Sequence, residues 1–453
     1  MLVQFKVSNF LSFDKLQTFN MRAGKFRNFS DRVSNCSKYK LLKFMSIYGA
    51  NASGKSNLIS AFGFFQDLVL GHLDNGSYSC YCKLSADNRL KDSLFEITIE
   101  IDGKVFVYGF NILLSSASFT HEWLYEELKN GSKQSVFERN IIDGTITIGN
   151  YLKSSPLLER IKIYGDDVKS DDTILFLKLM NQNKENLYIN SKKIIVFRNI
   201  YNWIRFKLSV NTAENPITNY SWFIDSNNLD KIAKKLQGFS TGIETISVVN
   251  VSPEKVMSDL PKEMINRVQQ MLSEPKNQLS TSKNEKNNAV LIRTSYNSMF
   301  LISINNSGEF EYKTFEFTHK NTVAKFLLDE ESDGTVRLLD LIEVLLNNAE
   351  GKVYIIDEIN RMFHPLLTRK FIIEFLELAK ERNIQLIVTT HESQLMDLKL
   401  LRKDEINFIN KNDEGYSTIE SLEKYDDRFD KKIINEYFNG KYGAIPFPIE
   451  KIN

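Results

Sequence analysis

Gly49-Ala50-Asn51-Ala52-Ser53-Gly54-Lys55-Ser56 matches G-x-x-x-x-G-K-[ST], the pattern of a phosphate-binding loop. The run before it, Leu41 to Tyr48, has strand character, and Asn57-Leu58-Ile59-Ser60-Ala61-Phe62 after it reads as a helix. That strand–loop–helix setting is what the pattern needs. Glycines let the backbone curl so that its N–H groups face a phosphate chain, and the helix N-terminus adds a favourable dipole. Gly49, Asn51, Ser53, Gly54, Lys55, Ser56 and Asn57 are therefore the expected phosphate-binding residues. Lys55 would reach the β- and γ-phosphates and Ser56 would bind Mg²⁺. A nucleoside triphosphate is the expected ligand.

About 300 residues further on, Lys352-Val353-Tyr354-Ile355-Ile356-Asp357-Glu358 reads as an apolar strand ending in two acids. Behind a phosphate-binding loop, Asp357 is expected to hold Mg²⁺ through water, and Glu358 to orient and deprotonate the attacking water. Glu331-Ser332-Asp333-Gly334-Thr335 opens a strongly apolar helix that runs to Leu346. A Ser-x-Gly at such an N-terminus can clasp a γ-phosphate with the Ser332 hydroxyl and the backbone at Gly334; Ser332 or Asp333 can equally cap the helix. Thr389-Thr390-His391 ends the next apolar strand, where an imidazole can contact the γ-phosphate.

The 453 residues carry 58 Lys and Arg against 57 Asp and Glu, a net charge of +1, so no global field argues for nucleic acid. Cys36, Cys80 and Cys82 make neither a disulfide framework nor a zinc spacing. The opening Leu2 to Val7 alternates like a strand rather than a signal peptide, and no apolar run is long enough to span a bilayer. A cytoplasmic protein without membrane partners is expected.

Residues 1–150 read as β-rich. Leu94–Ile101 and Lys104–Phe110 form a hairpin through Asp102-Gly103, and Ser135–Arg139 and Thr145–Ile148 form another through Asp143-Gly144. From about 155 the pattern turns helical. Asp171-Asp172-Thr173 caps one expected helix, Asn228-Leu229-Asp230 opens a second and Pro261-Lys262-Glu263 a third. Lys276 to Asn288 is polar and reads as a loop; Val290–Ile292 and Phe300–Ile304 read as strands. There is no repeat and no sustained heptad. The expected architecture is α/β: a discontinuous ATPase head from residues 1–155 and 290–453, with mixed sheets, and a mainly helical insertion at 156–289.

The order of these motifs resembles the ABC-type ATPases of the SMC and RecF branch. Phe5-Lys6-Val7-Ser8-Asn9-Phe10-Leu11-Ser12-Phe13 is similar to that branch's first strand. The chain further resembles the single-chain ATPases of bacterial phage-defence operons, the RloA or AbiL type. Gly49 to Asn57, Glu331 to Thr335, Asp357-Glu358, His364-Pro365-Leu366-Leu367, Thr389-Thr390-His391 and the tail Gly440 to Phe447 carry that likeness. It implies composite ATP sites, in which Ser332 and Gly334 of one subunit close over nucleotide held by another, and hence at least a homodimer. Catalytic roles for Glu358 and His391, and Mg²⁺ binding by Ser56 and Asp357, follow from the same likeness. That family often carries an acid two residues beyond the catalytic glutamate, where this chain has Asn360 followed by Arg361. No glutamine is assigned to Mg²⁺; Gln66 falls on the helix after the phosphate loop.

The resemblance implies a sensor or scaffold ATPase of an antiviral, abortive-infection system, controlling a separate effector such as a Toprim-type nuclease and triggered by a phage protein or nucleic acid. The alternative is a RecF-like DNA-repair ATPase. A transporter motor fits the long insertion badly, and chromosome-structure proteins need heptad arms. About 60 residues follow His391, too few for a fused Toprim domain. Asp426, Asp427 and Asp430 follow no apolar strand and read as a charged turn.

Overall fold

Two sheets of different hydrogen-bonding pattern share one helix. The structure, a computed structural model, describes residues 1–36, 38–71, 78–189, 193–212, 223, 226–273, 289–294, 297–305, 307–425, 433–443 and 445. The chain divides into two compact units: residues 1–214, 348–360 and 372–453, and residues 215–347 with 361–371.

In the first unit, β1 (Leu2–Ser8), β2 (Gln17–Asn20), β6 (Ser93–Ile101), β7 (Lys104–Leu113), β8 (Ser118–Glu127), β9 (Lys133–Asn140) and β10 (Thr145–Ile148) form an antiparallel sheet in the order β10-β9-β8-β7-β6-β1-β2. Two-residue and short polar turns such as Asp102-Gly103, both with positive φ, close its hairpins. A second sheet has the order β11 (Leu208–Asn211), β17 (Val353–Ile356), β18 (Gln385–Thr389), β5 (Phe44–Tyr48), β19 (Ile406–Lys411) and β20 (Ser417–Ser421). All its pairs are parallel except β19–β20. A small hairpin, β3 (Val33–Asn35) with β4 (Lys40–Leu42), lies outside both sheets.

Helix α1 (Lys55–Leu70) lies in the core that the two sheets share. Phe62 stacks on Phe5 with ring centroids 4.0 Å apart, and Phe65 stacks on Phe110. Ile47, Ile355 and Ile387 of the parallel sheet belong to the same apolar cluster. The Gln385 side chain, fully buried, joins the sheets by hydrogen bonds. Its Oε1 accepts from Leu2 N–H (2.7 Å) and its Nε2 donates to Leu2 O and Leu42 O (both 2.9 Å).

Helices Leu158–Val168, Phe176–Asn181 and Ile195–Asn202 fall in the first unit rather than in a separate insertion. The physical reason is aromatic: Phe176 and Phe197 pack against Phe137 of β9. The Phe176 helix begins later than expected, because the Asp171 carboxylate closes a turn onto Thr173 N–H (2.9 Å) before it. β11 also lies in the expected insertion, yet it pairs with β17 in the parallel sheet.

The second unit is not mainly helical. β12 (Ile243–Asn250), β13 (Ala289–Arg293), β14 (Met299–Ile304), β15 (Phe310–His319) and β16 (Lys325–Phe326) make an antiparallel sheet in the order β12-β15-β14-β13, with β16 on β15. Helices Pro253–Asp259 and Lys262–Ser273 supply Val256, Leu260, Ile265 and Val268 to a core with Ile292, Phe300 and Ile302. Helices Ser226–Gly238 and Asp333–Leu346 complete it. The boundaries near 155 and 290 therefore differ from those of the compact units: 156–214 joins the first, and 290–347 joins the second. The expected loop Lys276–Asn288, the acidic Asp426, Asp427 and Asp430, and the tail residues Ala444, Pro446 and Phe447 lie outside the described residues.

Glu405, just before β19, is fully buried. Its Oε2 accepts from Arg402 N–H (2.9 Å), and its Oε1 has no partner among the described residues. Burial, reinforced by Asp404, pushes the carboxyl from 4.5 up to about 8, against the Arg402 N–H bond and the charges of Arg32 and Arg402. The folded protein therefore binds a proton that the unfolded chain releases. That contribution to stability is complete below about pH 4.5 and is lost as pH rises through about 8. Glu405→Gln, neutral at every pH, should flatten this decline. Thermal unfolding followed across that range should show wild type losing Tm faster than the variant; parallel curves would refute the buried, protonated carboxyl.

Candidate functional site

β17, β18 and β5 are parallel neighbours in register, with Ile356 opposite Val388 and Thr389 opposite Ile47. Their carboxyl ends finish side by side. The loop 49–54 after β5, the acids after β17 and Thr390-His391 after β18 therefore leave the sheet along one edge, the edge that binds ligands in open α/β sheets.

The loop after β5 is built around two glycines. A Cβ at Gly49 would lie 2.4 Å from Ser53 Oγ and 2.5 Å from Ile409 O. Gly54 starts α1 at φ 111°, and a Cβ there would lie 2.3 Å from Ser417 Oγ and 2.7 Å from Ser12 Oγ. Those hydroxyls brace the loop. Ser417 Oγ donates to Ser53 O (2.5 Å) and accepts from Ser12 Oγ (2.7 Å), which in turn accepts from Asn57 Nδ2 (2.7 Å). Asn51 and Ser56 are exposed. The Ser53 hydroxyl is buried without a partner among the described residues. Lys55 is buried, and its Nζ donates to Gly49 O (2.9 Å) and Ala50 O (3.1 Å). Burial draws the amine below its usual range, and the charges of Asp357 and Glu358 pull it back up.

Asp357 is buried at the end of β17, where its carboxylate accepts from the Thr389 hydroxyl. Glu358 has a left-handed backbone, φ 49°, and its N–H donates to Thr389 Oγ1 (2.7 Å). The Asn360 Oδ1 accepts from Thr390 Oγ1 (3.0 Å) and from His391 N–H (3.3 Å). The His391 imidazole is held below its ordinary value of 6.5, by burial first and then by the positive charge of Lys55; Glu358 and Asp357 oppose this. One ammonium, two carboxylates and a neutral imidazole thus share one electrostatic neighbourhood.

Ser332 and Gly334 belong to the second unit. Ser332 caps the helix Asp333–Leu346: its Oγ accepts from Thr335 N–H at 3.2 Å, so the capping role is the one seen. A Cβ at Gly334 would lie 3.2 Å from Met362 O. Gln66 is committed elsewhere, its Nε2 donating to Ile204 O (2.5 Å) and Leu208 O (2.9 Å). Sequence reasoning missed Ser417, Thr389 and Asn360 as supports. Thr389 stands inside the singled-out Thr389-Thr390-His391 motif and Asn360 enters only as a departure from the family's acid, but Ser417 carries no local signal.

The donors near Lys55 suit Mg²⁺, a hard cation that takes oxygen ligands and keeps several waters: Asp357 offers a carboxylate and Ser56 an exposed hydroxyl. Among the described residues no group of three or more His, Cys, Asp or Glu gathers into a metal cage. A cavity of about 420 Å³ flanks the loop, lined in part by Leu11, Ser12, Asn57, Tyr81 and Lys411. No helix among the described residues is long and apolar enough to cross a membrane.

A protein-family model described as "AAA domain, putative AbiEii toxin, Type IV TA system" matches residues 44–149 and 168–397. No curated protein sequence matches the chain. Solved structures similar to it include an Smc head bound to the C-winged helix domain of ScpA, at 15% identity, 93% coverage of this chain, 97% of that one and a TM-score of 0.39. The SMC head domain from Thermotoga maritima is 12% identical, with 93% and 98% coverage and a TM-score of 0.34. An Smc head with an extended coiled coil bound to the C-terminal domain of ScpA, derived from Pyrococcus furiosus, is 14% identical, with 93% and 97% coverage and a TM-score of 0.38. The family match spans well over half of the chain and contains Lys55, Asp357, Glu358 and His391, so the chain belongs to this AAA-domain family of P-loop ATPases.

Proposed function

We propose that the protein is a Mg²⁺-dependent ATP hydrolase that acts as the sensor or scaffold of an antiviral, abortive-infection system and controls a separately encoded effector, such as a Toprim-type nuclease. The observation that carries the hydrolytic reading is the convergence of Lys55, Asp357, Glu358 and His391 at one edge of the parallel sheet. The defence reading is supported by the family description, which names the AbiEii toxin and Type IV TA systems, and by the motifs that resemble defence-operon ATPases.

Lys55 exchanges its two carbonyl partners for β- and γ-phosphate oxygens, and the N–H groups of the loop and of the first turn of α1 take the remainder. Ser56 and Asp357 hold Mg²⁺, which when bound neutralises phosphate charge. Glu358 accepts the proton of the attacking water. His391, kept neutral, donates or accepts a hydrogen bond at the γ-phosphate without adding charge. The cavity beside Asn57 has room for the nucleoside. Ser332 and Gly334, at the exposed start of a 14-residue helix, close on the γ-phosphate bound by another copy of the chain.

Lys55→Ala should weaken ATP binding by at least about tenfold, since a charge-assisted phosphate contact is lost. Steady-state hydrolysis and equilibrium ATP binding measure this, and wild-type rates in the variant would reject the site. Glu358→Gln should still bind ATP and accumulate as a closed oligomer, while Ser332→Arg should bind ATP without closing. Light scattering with ATP should give the first variant the higher mass; equal masses would count against the composite site. Phage protection in cells should require this gene together with its operon neighbour and disappear with Lys55→Ala. Full protection by this gene alone would remove the separate effector from the proposal.

A further inference from the structure

The two loops that carry His391 and Glu358 are fastened to each other by a set of hydrogen bonds. Thr389 grips the acid loop twice. Its hydroxyl donates to the Asp357 carboxylate and accepts from Glu358 N–H (2.7 Å), and its carbonyl accepts from Ile359 N–H (3.1 Å). Asn360 returns the grip: its Oδ1 accepts both the Thr390 hydroxyl (3.0 Å) and His391 N–H (3.3 Å). A backbone N–H can only donate, so the Asn360 atom facing it must be the oxygen. Thr389 and Thr390 are fully buried, and both sides of each hydroxyl are used, since Thr390 Oγ1 also accepts from Glu392 N–H (3.0 Å). A left-handed backbone at Glu358 is disfavoured for a residue with a Cβ, and persists only where its surroundings over-determine it.

We infer that Thr389, Thr390 and Asn360 are positioning residues that clasp the His391 loop to the Glu358 loop, so that a displacement of His391 at the γ-phosphate is delivered to the carboxylate that activates water. This rests on the ATPase reading above. The clasp makes the hydrolytic geometry conditional on the γ-phosphate being present. Asn360 serves in it purely as an acceptor, so aspartate can replace it and leucine cannot. Thr389 needs its hydroxyl and not its methyl group, so serine can replace it and the isosteric valine cannot.

The test uses the full chain with Thr389→Val, Thr389→Ser, Asn360→Leu and Asn360→Asp, each also in a His391→Ala background. Equilibrium binding of a fluorescent ATP analogue is measured beside kcat and KM. Thr389→Val and Asn360→Leu should lower kcat by about 10- to 100-fold with KM and binding changed by less than about threefold, while Ser and Asp recover most of the rate. In the His391→Ala background, Asn360→Leu should cost little more, because the link it cuts no longer carries anything. Three results would overturn the clasp: Thr389→Val as active as Thr389→Ser, multiplicative losses in the double variant, or binding lost in step with kcat. A wild-type chain that neither binds nor hydrolyses ATP would instead remove the ATPase reading on which the clasp stands.

Discussion

Burial of α1 on both sides is the constraint from which the site follows. Phe62 and Phe65 meet rings of the antiparallel sheet, while Ile47, Ile355 and Ile387 close the core from the parallel one. Each such aromatic side chain contributes about 1.5–3 kcal/mol by burial, and truncating one costs about 3–5 kcal/mol. A helix fixed this way cannot slide, so its first turn stands in one place relative to the ends of β5, β17 and β18. The loop leading into it must then fit a space already bounded by Ser12 and Ser417. Gly54, with no Cβ and φ at 111°, is the residue that space admits.

Polar groups set inside this apolar packing give it direction. Gln385 uses three of its hydrogen-bonding positions to join β18 to Leu2 and Leu42, and an apolar replacement would leave those backbone groups unpaired. Glu122, fully buried, accepts from Phe176 N–H (2.6 Å), Leu177 N–H (3.0 Å) and Tyr108 Oη (3.0 Å), and lies 3.6 Å from Arg139. These networks are satisfied at several points at once, so a shift of one sheet against its neighbours breaks many bonds together. Stability and register are thus fixed by different kinds of atoms.

Much of this was legible along the chain. Val353–Ile356 and Gln385–Thr389 read directly as apolar runs, and the Asp102-Gly103 and Asp143-Gly144 hairpins read from turn chemistry. The glycine loop announced its own helix. What was hidden depends on partners distant in sequence. β11 is four residues with one fully buried leucine, and it becomes a strand because β17, over 140 residues away, offers an open edge. The β12–β15 pairing escaped notice because helical periodicity on both sides of β12 outweighed its own alternation. Ser12, Ser417 and Asn360 matter only through the groups that three-dimensional folding brings to them.

β11 and β17 hold one further consequence. The chain leaves the parallel sheet at Asn211 and re-enters it at Val353, on the strand alongside. The two strands are parallel and Asn211 stands opposite Ile356, so departure and return fall at opposite ends of neighbouring short strands, about 10 Å apart. Everything between these strands is inserted at this single parallel crossover of the sheet. A lineage could exchange the part of that segment ahead of Glu331 for another of different length without redrawing the host sheet. Diversification of the inserted segment can therefore proceed at a tempo separate from that of the parallel sheet.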